Sequence, residues 1–133
     1  MFLPALITAL VAGRNFDMTS GEQTRDFIYV DDLVKAIIQA LVIPGFCGDV
    51  INISSAMPIR IDALAKMTAN IIGNGAGNRL KLGLKDYRKG DVMQYWASNN
   101  LAKTSLGWSP IVSLEEGVKQ TVDHFKALAA DYR

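Results

Sequence analysis

The chain has 133 residues, enough for one domain with a buried core but short for a two-domain enzyme. Fourteen basic residues against thirteen acidic ones leave a formal charge of +1, which excludes a field that would recruit nucleic acid or an anionic membrane, so an anionic ligand must be held by local geometry. A hydrophobic share of 50% and a mean hydropathy of +0.16 are high for so small a domain and point to a neighbour covering part of its surface, while a single cysteine, Cys47, excludes an internal disulfide framework and favours a reducing, cytoplasmic setting.

Leu3, Leu6, Ile7, Leu10 and Val11 recur at helical spacing, with Pro4 suited to a first turn and Gly13 to the left-handed position past the end, so a helix is expected over 3–12. This opening has no basic lead and no small-residue cleavage site, so no signal peptide is read, and no apolar stretch reaches the roughly 20 residues that span a bilayer. The β-favouring run Phe27-Ile28-Tyr29-Val30 reads as a strand, and Asp31-Asp32 as caps for a helix carrying Leu33, Ala36, Ile37, Ala40 and Leu41, stopped by Pro44-Gly45. A second strand over Val50 to Ile53 leads through Ser54-Ser55 to a helix with Ile61, Leu64, Ala65, Thr68 and Ile72 in register. Strand, helix, strand, helix is an α/β rhythm.

The run Gly73-Asn74-Gly75-Ala76-Gly77-Asn78 follows a helix and opens a strand, the reverse of the context in which a glycine-rich loop cradles a dinucleotide, and reads as a flexible connector. Leu80, Leu82 and Leu84 then alternate as a half-buried strand would. Ser98 is placed to cap a short helix closed by Gly107, and Ser113-Leu114-Glu115-Glu116 is a capping box for a last helix with Leu114, Val118, Val122, Phe125 and Leu128 on one stripe.

Two segments carry chemistry beyond their structural roles. Arg25 stands at the mouth of the expected strand, and Tyr87-Arg88-Lys89-Gly90-Asp91 brings an arginine and an aspartate together through a turn. A diphosphate is gripped by guanidinium forks and a ribose diol by a carboxylate acceptor, which makes Arg25 and Arg88 candidates for the first role and Asp91 for the second. The structural readings stand beside these: a solvated arginine, capping aspartates, and Tyr95-Trp96 as core. His124 sits between apolar positions of the last helix, where it reads as a boundary residue and not a base. One histidine and one cysteine do not assemble a metal site, no Ser/His/Asp arrangement is visible, and no catalytic residue is assigned.

Gly21-Glu22-Gln23-Thr24-Arg25-Asp26-Phe27-Ile28-Tyr29-Val30-Asp31-Asp32, then Asn52-Ile53-Ser54-Ser55, then Arg88-Lys89-Gly90-Asp91, then Leu106-Gly107-Trp108-Ser109-Pro110 with Ser113-Leu114-Glu115-Glu116-Gly117, resembles the C-terminal half of the extended short-chain dehydrogenase/reductases. Within these, the pattern is similar to the NAD-dependent epimerase/dehydratase family that acts on nucleotide sugars. The resemblance implies an α/β fold made of the last strands and helices of a Rossmann-type sheet plus a small substrate lobe, here as a single C-terminal region over 1–133 without the N-terminal dinucleotide-binding domain. It implies that Arg25 and Arg88 hold the nucleotide diphosphate, that Asp91 meets the ribose with Tyr95 near that end, and that Phe2 and Met18 line the base. Met18 stands where the family often has an aromatic, and Arg60 where it usually has a serine or threonine capping the next helix.

The family's chemistry uses NAD(P), held by a glycine-rich turn after the first strand, and a tyrosine with a lysine four residues later. Tyr29 is followed at that spacing by Leu33, Tyr87 by Asp91 and Tyr95 by Asn99. The expectation is therefore a part of a 4-epimerase or 4,6-dehydratase, an isomerase or lyase, that binds the nucleotide sugar but neither holds the cofactor nor turns over alone. Self-association or pairing with the missing half is expected through exposed apolar faces. A non-enzymatic nucleotide-sugar-binding module and a structural remnant without ligand are the alternatives.

Overall fold

The computed structural model describes residues 1–45 and 48–131; Cys47 and Tyr132 lie outside the described residues. The elements in chain order are α1 (Phe2–Val11), β1 (Phe16–Asp17), β2 (Thr24–Arg25), α2 (Val30–Val42), β3 (Ile59–Arg60), α3 (Ile61–Ile72), α4 (Ala76–Arg79), β4 (Leu80–Lys81), β5 (Gln94–Tyr95), α5 (Asn100–Leu106) and α6 (Leu114–Asp131). The chain forms two compact units. The first comprises residues 1–23, 60–93 and the segment from Val118 on; the second comprises 24–59 and 94–117.

In the first unit the apolar stripes called for by helical spacing meet: Leu6, Ile7 and Leu10 of α1 and Leu64, Ala65, Ala69 and Ile72 of α3 are all buried, as are Val118 and Val122 of α6. Thr68 is buried with them because its hydroxyl donates to the Leu64 carbonyl at 2.8 Å, one turn back. Beside these helices β1 and β4 pair in parallel, Phe16 opposite Leu80 and Asp17 opposite Lys81. The strand expected over Arg79 to Lys85 is thus only two residues long. It ends where Gly83 turns the chain at φ +75°, and Leu84 is left exposed. The glycine-rich connector is also shorter than expected, since its second half winds into α4.

Tight approach explains Gly21. Its carbonyl accepts the Asp62 N–H at 2.9 Å, its φ is +75°, and a Cβ there would lie 2.7 Å from the Asp62 nitrogen. Arg60, the residue preceding α3, makes no side-chain cap; its Nε instead donates to Asp62 Oδ1 at 2.9 Å, and Lys66 donates to the same carboxylate at 3.1 Å. The Arg60 bond, opposed by burial and aided by Lys66, holds the Asp62 carboxyl below its ordinary value.

The second unit is built differently. Its three-stranded sheet runs in the order β3-β2-β5, with β2 and β5 parallel. Its apolar centre is small: Ala36 of α2, Ala102 and Leu106 of α5, and Trp108, with Ile43, Ile51 and Ile53 partly buried against them. Neither expected strand, Phe27 to Val30 or Val50 to Ile53, forms a ladder. A strand exists only where a second strand satisfies its amides. Residues 26–29 instead lead directly into α2, with Tyr29 extended at φ −74° and ψ 144°.

Carboxylates join the pieces of this unit. Asp32 is not a helix cap, because α2 already begins at Val30; it is fully buried and accepts the N–H groups of Ile111 and Val112 at 2.9 and 2.8 Å. Its main-chain carbonyl also accepts the Trp108 indole N–H at 2.8 Å. Burial works against the charge, but the Val112 and Ile111 amides and the Lys35 ammonium 3.5 Å away outweigh it and hold the Asp32 carboxyl below its ordinary value. Asp26 accepts the Ser55 and Ala56 N–H groups at 3.2 Å each and the hydroxyls of Ser54 and Ser55. Buried Asn99 donates to the Ser54 carbonyl at 2.9 Å and precedes α5, with the Asn100 N–H on the Ser98 hydroxyl at 3.3 Å. At the start of α6 the Ser113 hydroxyl accepts the Glu116 N–H at 3.2 Å, as a capping box requires.

Candidate substrate cavity

The Arg88–Asp91 spacing produces a turn. The Asp91 N–H bonds the Arg88 carbonyl at 3.0 Å, and Gly90, the third of the four residues, takes φ +82°, a conformation that costs a side-chain-bearing residue but not glycine. The turn carries both Arg88 and Asp91 to the lining of a cavity of about 250 Å³ in the first unit. The apolar part of that lining comes from Phe2, Phe16, Met18 and Ile61, the polar part from Asp17, Thr19, Gln23, Lys85 and Asp86. Phe2 and Phe16 meet edge to face, with ring centroids 5.8 Å apart. Met18 is buried because its N–H bonds the Lys81 carbonyl at 3.0 Å and its own carbonyl accepts the Lys85 N–H at 3.2 Å.

Four of the six residues expected to meet substrate, Phe2, Met18, Arg88 and Asp91, therefore line one cavity. Arg25 and Tyr95 are not in that lining. They belong to the second unit, where they stand opposite each other in register on β2 and β5. Arg25 Nη1 donates to the Thr24 carbonyl at 2.7 Å, and Tyr95 is 70% exposed. Phe16 and Lys85 lie outside the blocks that carry the resemblance, Gln23 lies within one without a role of its own, and Tyr87 has no sequence signal beyond its place in the turn. Tyr87 ties the cavity's two loops together: its phenol oxygen lies 2.8 Å from the Ser20 hydroxyl and accepts the Glu22 N–H at 2.9 Å. Burial opposes its ionisation, yet the bonds from Ser20, Glu22 and Thr19 prevail and hold the phenol below its ordinary value.

The apolar residues of the lining, Phe2, Phe16, Met18 and Ile61, offer aromatic and polarisable surface. The polar ones combine two cations, Lys85 and Arg88, with the carboxylates of Asp17, Asp86 and Asp91, groups suited to anionic and hydroxyl oxygens respectively. The glycine-rich turn at Gly73–Gly75 joins α3 to a four-residue helix, not a strand to a long one, so it offers no phosphate cradle. Among the described residues no three or more histidine, cysteine, aspartate or glutamate side chains gather as metal ligands, and no helix is long and apolar enough to cross a membrane.

The family model described as GDP-mannose 4,6 dehydratase matches residues 3–121. A UDP-glucuronate 4-epimerase of Thermodesulfobacterium geofontis is 36% identical over 107 residues, which is 80% of this chain but 31% of the relative. Among solved structures, a UDP-glucose 4-epimerase of Thermotoga maritima with UDP-glucose superposes with a TM-score of 0.87 at 32% identity, over 97% of this chain and 40% of that one. A UDP-glucuronic acid 4-epimerase of Bacillus cereus in complex with NAD gives a TM-score of 0.80 at 30% identity, over 96% and 38%. The chain thus spans about a third of the curated relatives' length, and its α/β fold is that of a C-terminal part of such enzymes. By sequence and by fold, the chain belongs to the NAD-dependent nucleotide-sugar epimerases and dehydratases, the extended short-chain dehydrogenase/reductases.

Proposed function

We propose that the chain is the nucleotide-sugar-binding portion of a sugar 4-epimerase or 4,6-dehydratase, and that its ligand is a UDP-sugar. The observation that carries this reading is the cavity that gathers Phe2, Met18, Arg88 and Asp91, four residues assigned to substrate from the sequence alone. Arg88 takes a phosphate oxygen, Asp91 accepts a ribose hydroxyl, and Phe2 and Met18 lie against the base. Arg25 joins the grip on the diphosphate and Tyr95 the ribose end; for these two the support is the family pattern. The three named relatives, all 4-epimerases of UDP-sugars, favour uracil as the base over the guanine of the family model's description.

The complete enzyme uses NAD(P). This chain carries no tyrosine with a lysine four residues on, so hydride transfer and proton abstraction fall to a part bearing the cofactor turn and that pair. We place it in the cytoplasm, as a single substrate-binding region that self-associates or pairs with that part. Calorimetric titration with UDP-glucose, alongside GDP-, CDP- and dTDP-sugars, tests the reading. Saturable binding led by the UDP-sugar, without turnover, is expected. Binding of none of the four overturns it and leaves a structural remnant.

A further inference from the structure

The second unit holds a cavity of its own, about 440 Å³ and larger than the substrate cavity of the first. Phe27 and Ile28, which lead into α2, line it together with the loop before β3 and the segment before α6. The last two are tied down by atoms outside the cavity. Asp26 accepts the Ser55 and Ala56 N–H groups at 3.2 Å each, and Asp32 accepts those of Ile111 and Val112 at 2.9 and 2.8 Å. The space is therefore held open without a ligand, and a guest spends little free energy on ordering it.

The chemistry of the lining narrows the guest. Among the described residues no ionisable side chain lines the cavity, and Pro58 and Pro110 bring no amide donor. Its two hydroxyls are already engaged: Ser55 donates to Asp26 and accepts the Met57 N–H at 3.0 Å, and Ser113 accepts the Glu116 N–H at 3.2 Å. Water in such a space needs two to four polar partners and finds too few, and an anion finds no cation. The volume lies within the roughly 300–1,000 Å³ of small-molecule sites, and dry apolar cavities smaller than this take up benzene. Among apolar guests a rigid ring loses no torsional freedom on entry, and it meets the Phe27 ring and the Met57 thioether, both of which favour aromatic contact. We propose that this cavity is a binding site for a neutral aromatic small molecule of one or two fused rings. None of the described residues lining it lines the substrate cavity, so the proposal stands or falls apart from the nucleotide reading.

The test is calorimetric titration of the whole chain with naphthol, uncharged at neutral pH, beside naphthalenesulfonate as its charged counterpart and octanol as an aliphatic one. Saturable binding of naphthol is expected, with the other two at least about tenfold weaker. No binding of naphthol, or a sulfonate or alcohol that binds as well, overturns the proposal. The place is tested by Val112→Phe, which fills the cavity from its lining, and by Leu41→Lys on the exposed face of α2, where an apolar probe would otherwise gather. Naphthol affinity should fall about tenfold in the first variant and stay unchanged in the second. Any other pattern puts the ring elsewhere and overturns the proposal. Should Val112→Phe not fold, Met57→Asp makes the same test. It sets a charge at a lining position that is 77% exposed, where little packing is lost, and the same tenfold fall is expected.

Discussion

The two units solve the same problem with different materials. In the first, Leu6, Ile7 and Leu10 of α1, Leu64 of α3, and Val118 and Val122 of α6 are all buried, and polar groups are left to line a cavity. In the second, α2 buries only Asp32 and Ala36, while Leu33, Val34, Ile37, Ile38, Leu41 and Val42 are exposed, and the pieces are joined by the carboxylates of Asp26 and Asp32. Apolar burial is tolerant of sequence, whereas a carboxylate that satisfies two amides is specific to the residue. The first unit should therefore yield to changes in shape, and the second to the loss of single atoms.

The sharpest break in that comparison is Asp32→Ala. It leaves the Ile111 and Val112 amides without their acceptor and should cost about 4 kcal/mol, read as a lowered denaturation midpoint. The wild-type carboxyl is held below its ordinary value of 3.8, so its contribution is complete above that pH and fades as pH falls through the lowered folded value. Acid unfolding should accordingly be steeper in the wild type than in Asp32→Asn, which cannot titrate. Equal acid limbs would refute the assignment.

In the first unit the corresponding test is one of shape. Gly21→Ala adds a Cβ at φ +75° and 2.7 Å from the Asp62 nitrogen, backbone at the start of α3 that has little room to yield. A loss of about 3 kcal/mol in thermal stability is expected, from strain and overpacking together. Arg88→Ala touches the cavity without touching the core. It should weaken UDP about tenfold in calorimetry while the melting temperature of the unliganded protein stays put, since the side chain is exposed. A fall in melting temperature with no change in affinity would return Arg88 to the surface.

These cases also mark what was legible beforehand. Helices α1, α3 and α6 could be read because each buries a stripe of its own sequence, and Arg88 with Asp91 because a four-residue turn is a local object. Phe27 to Val30 and Val50 to Ile53 misled because β propensity says nothing about where the second strand is. Asp32 was misread as a cap for a related reason, its partners being nearly 80 residues away at Ile111 and Val112. Gln23 stands in the block that runs into Arg25 and Asp26, but its unpaired oxygen is visible only once its surroundings are built.

The smallest expected change in folding energy belongs to the bare face of α2. Ile37 is 51% exposed and Leu41 is 80% exposed, one helical turn apart, so lysine at either position removes little packing and should shift stability by less than about 0.5 kcal/mol. The same face is the one through which self-association or pairing with a companion part is proposed, and adjacent exposed apolar side chains are the usual mark of such a surface. Sedimentation should therefore separate what calorimetry cannot: association in the wild type, and a monomer of unchanged melting temperature in the Ile37→Lys, Leu41→Lys double variant. A wild-type chain that sediments as a folded monomer at dilute and concentrated loading alike would remove the proposed self-association. It would leave the helix's exposed residues as ordinary surface, because a patch that drives no contact at high concentration has too little favourable free energy to need a cover.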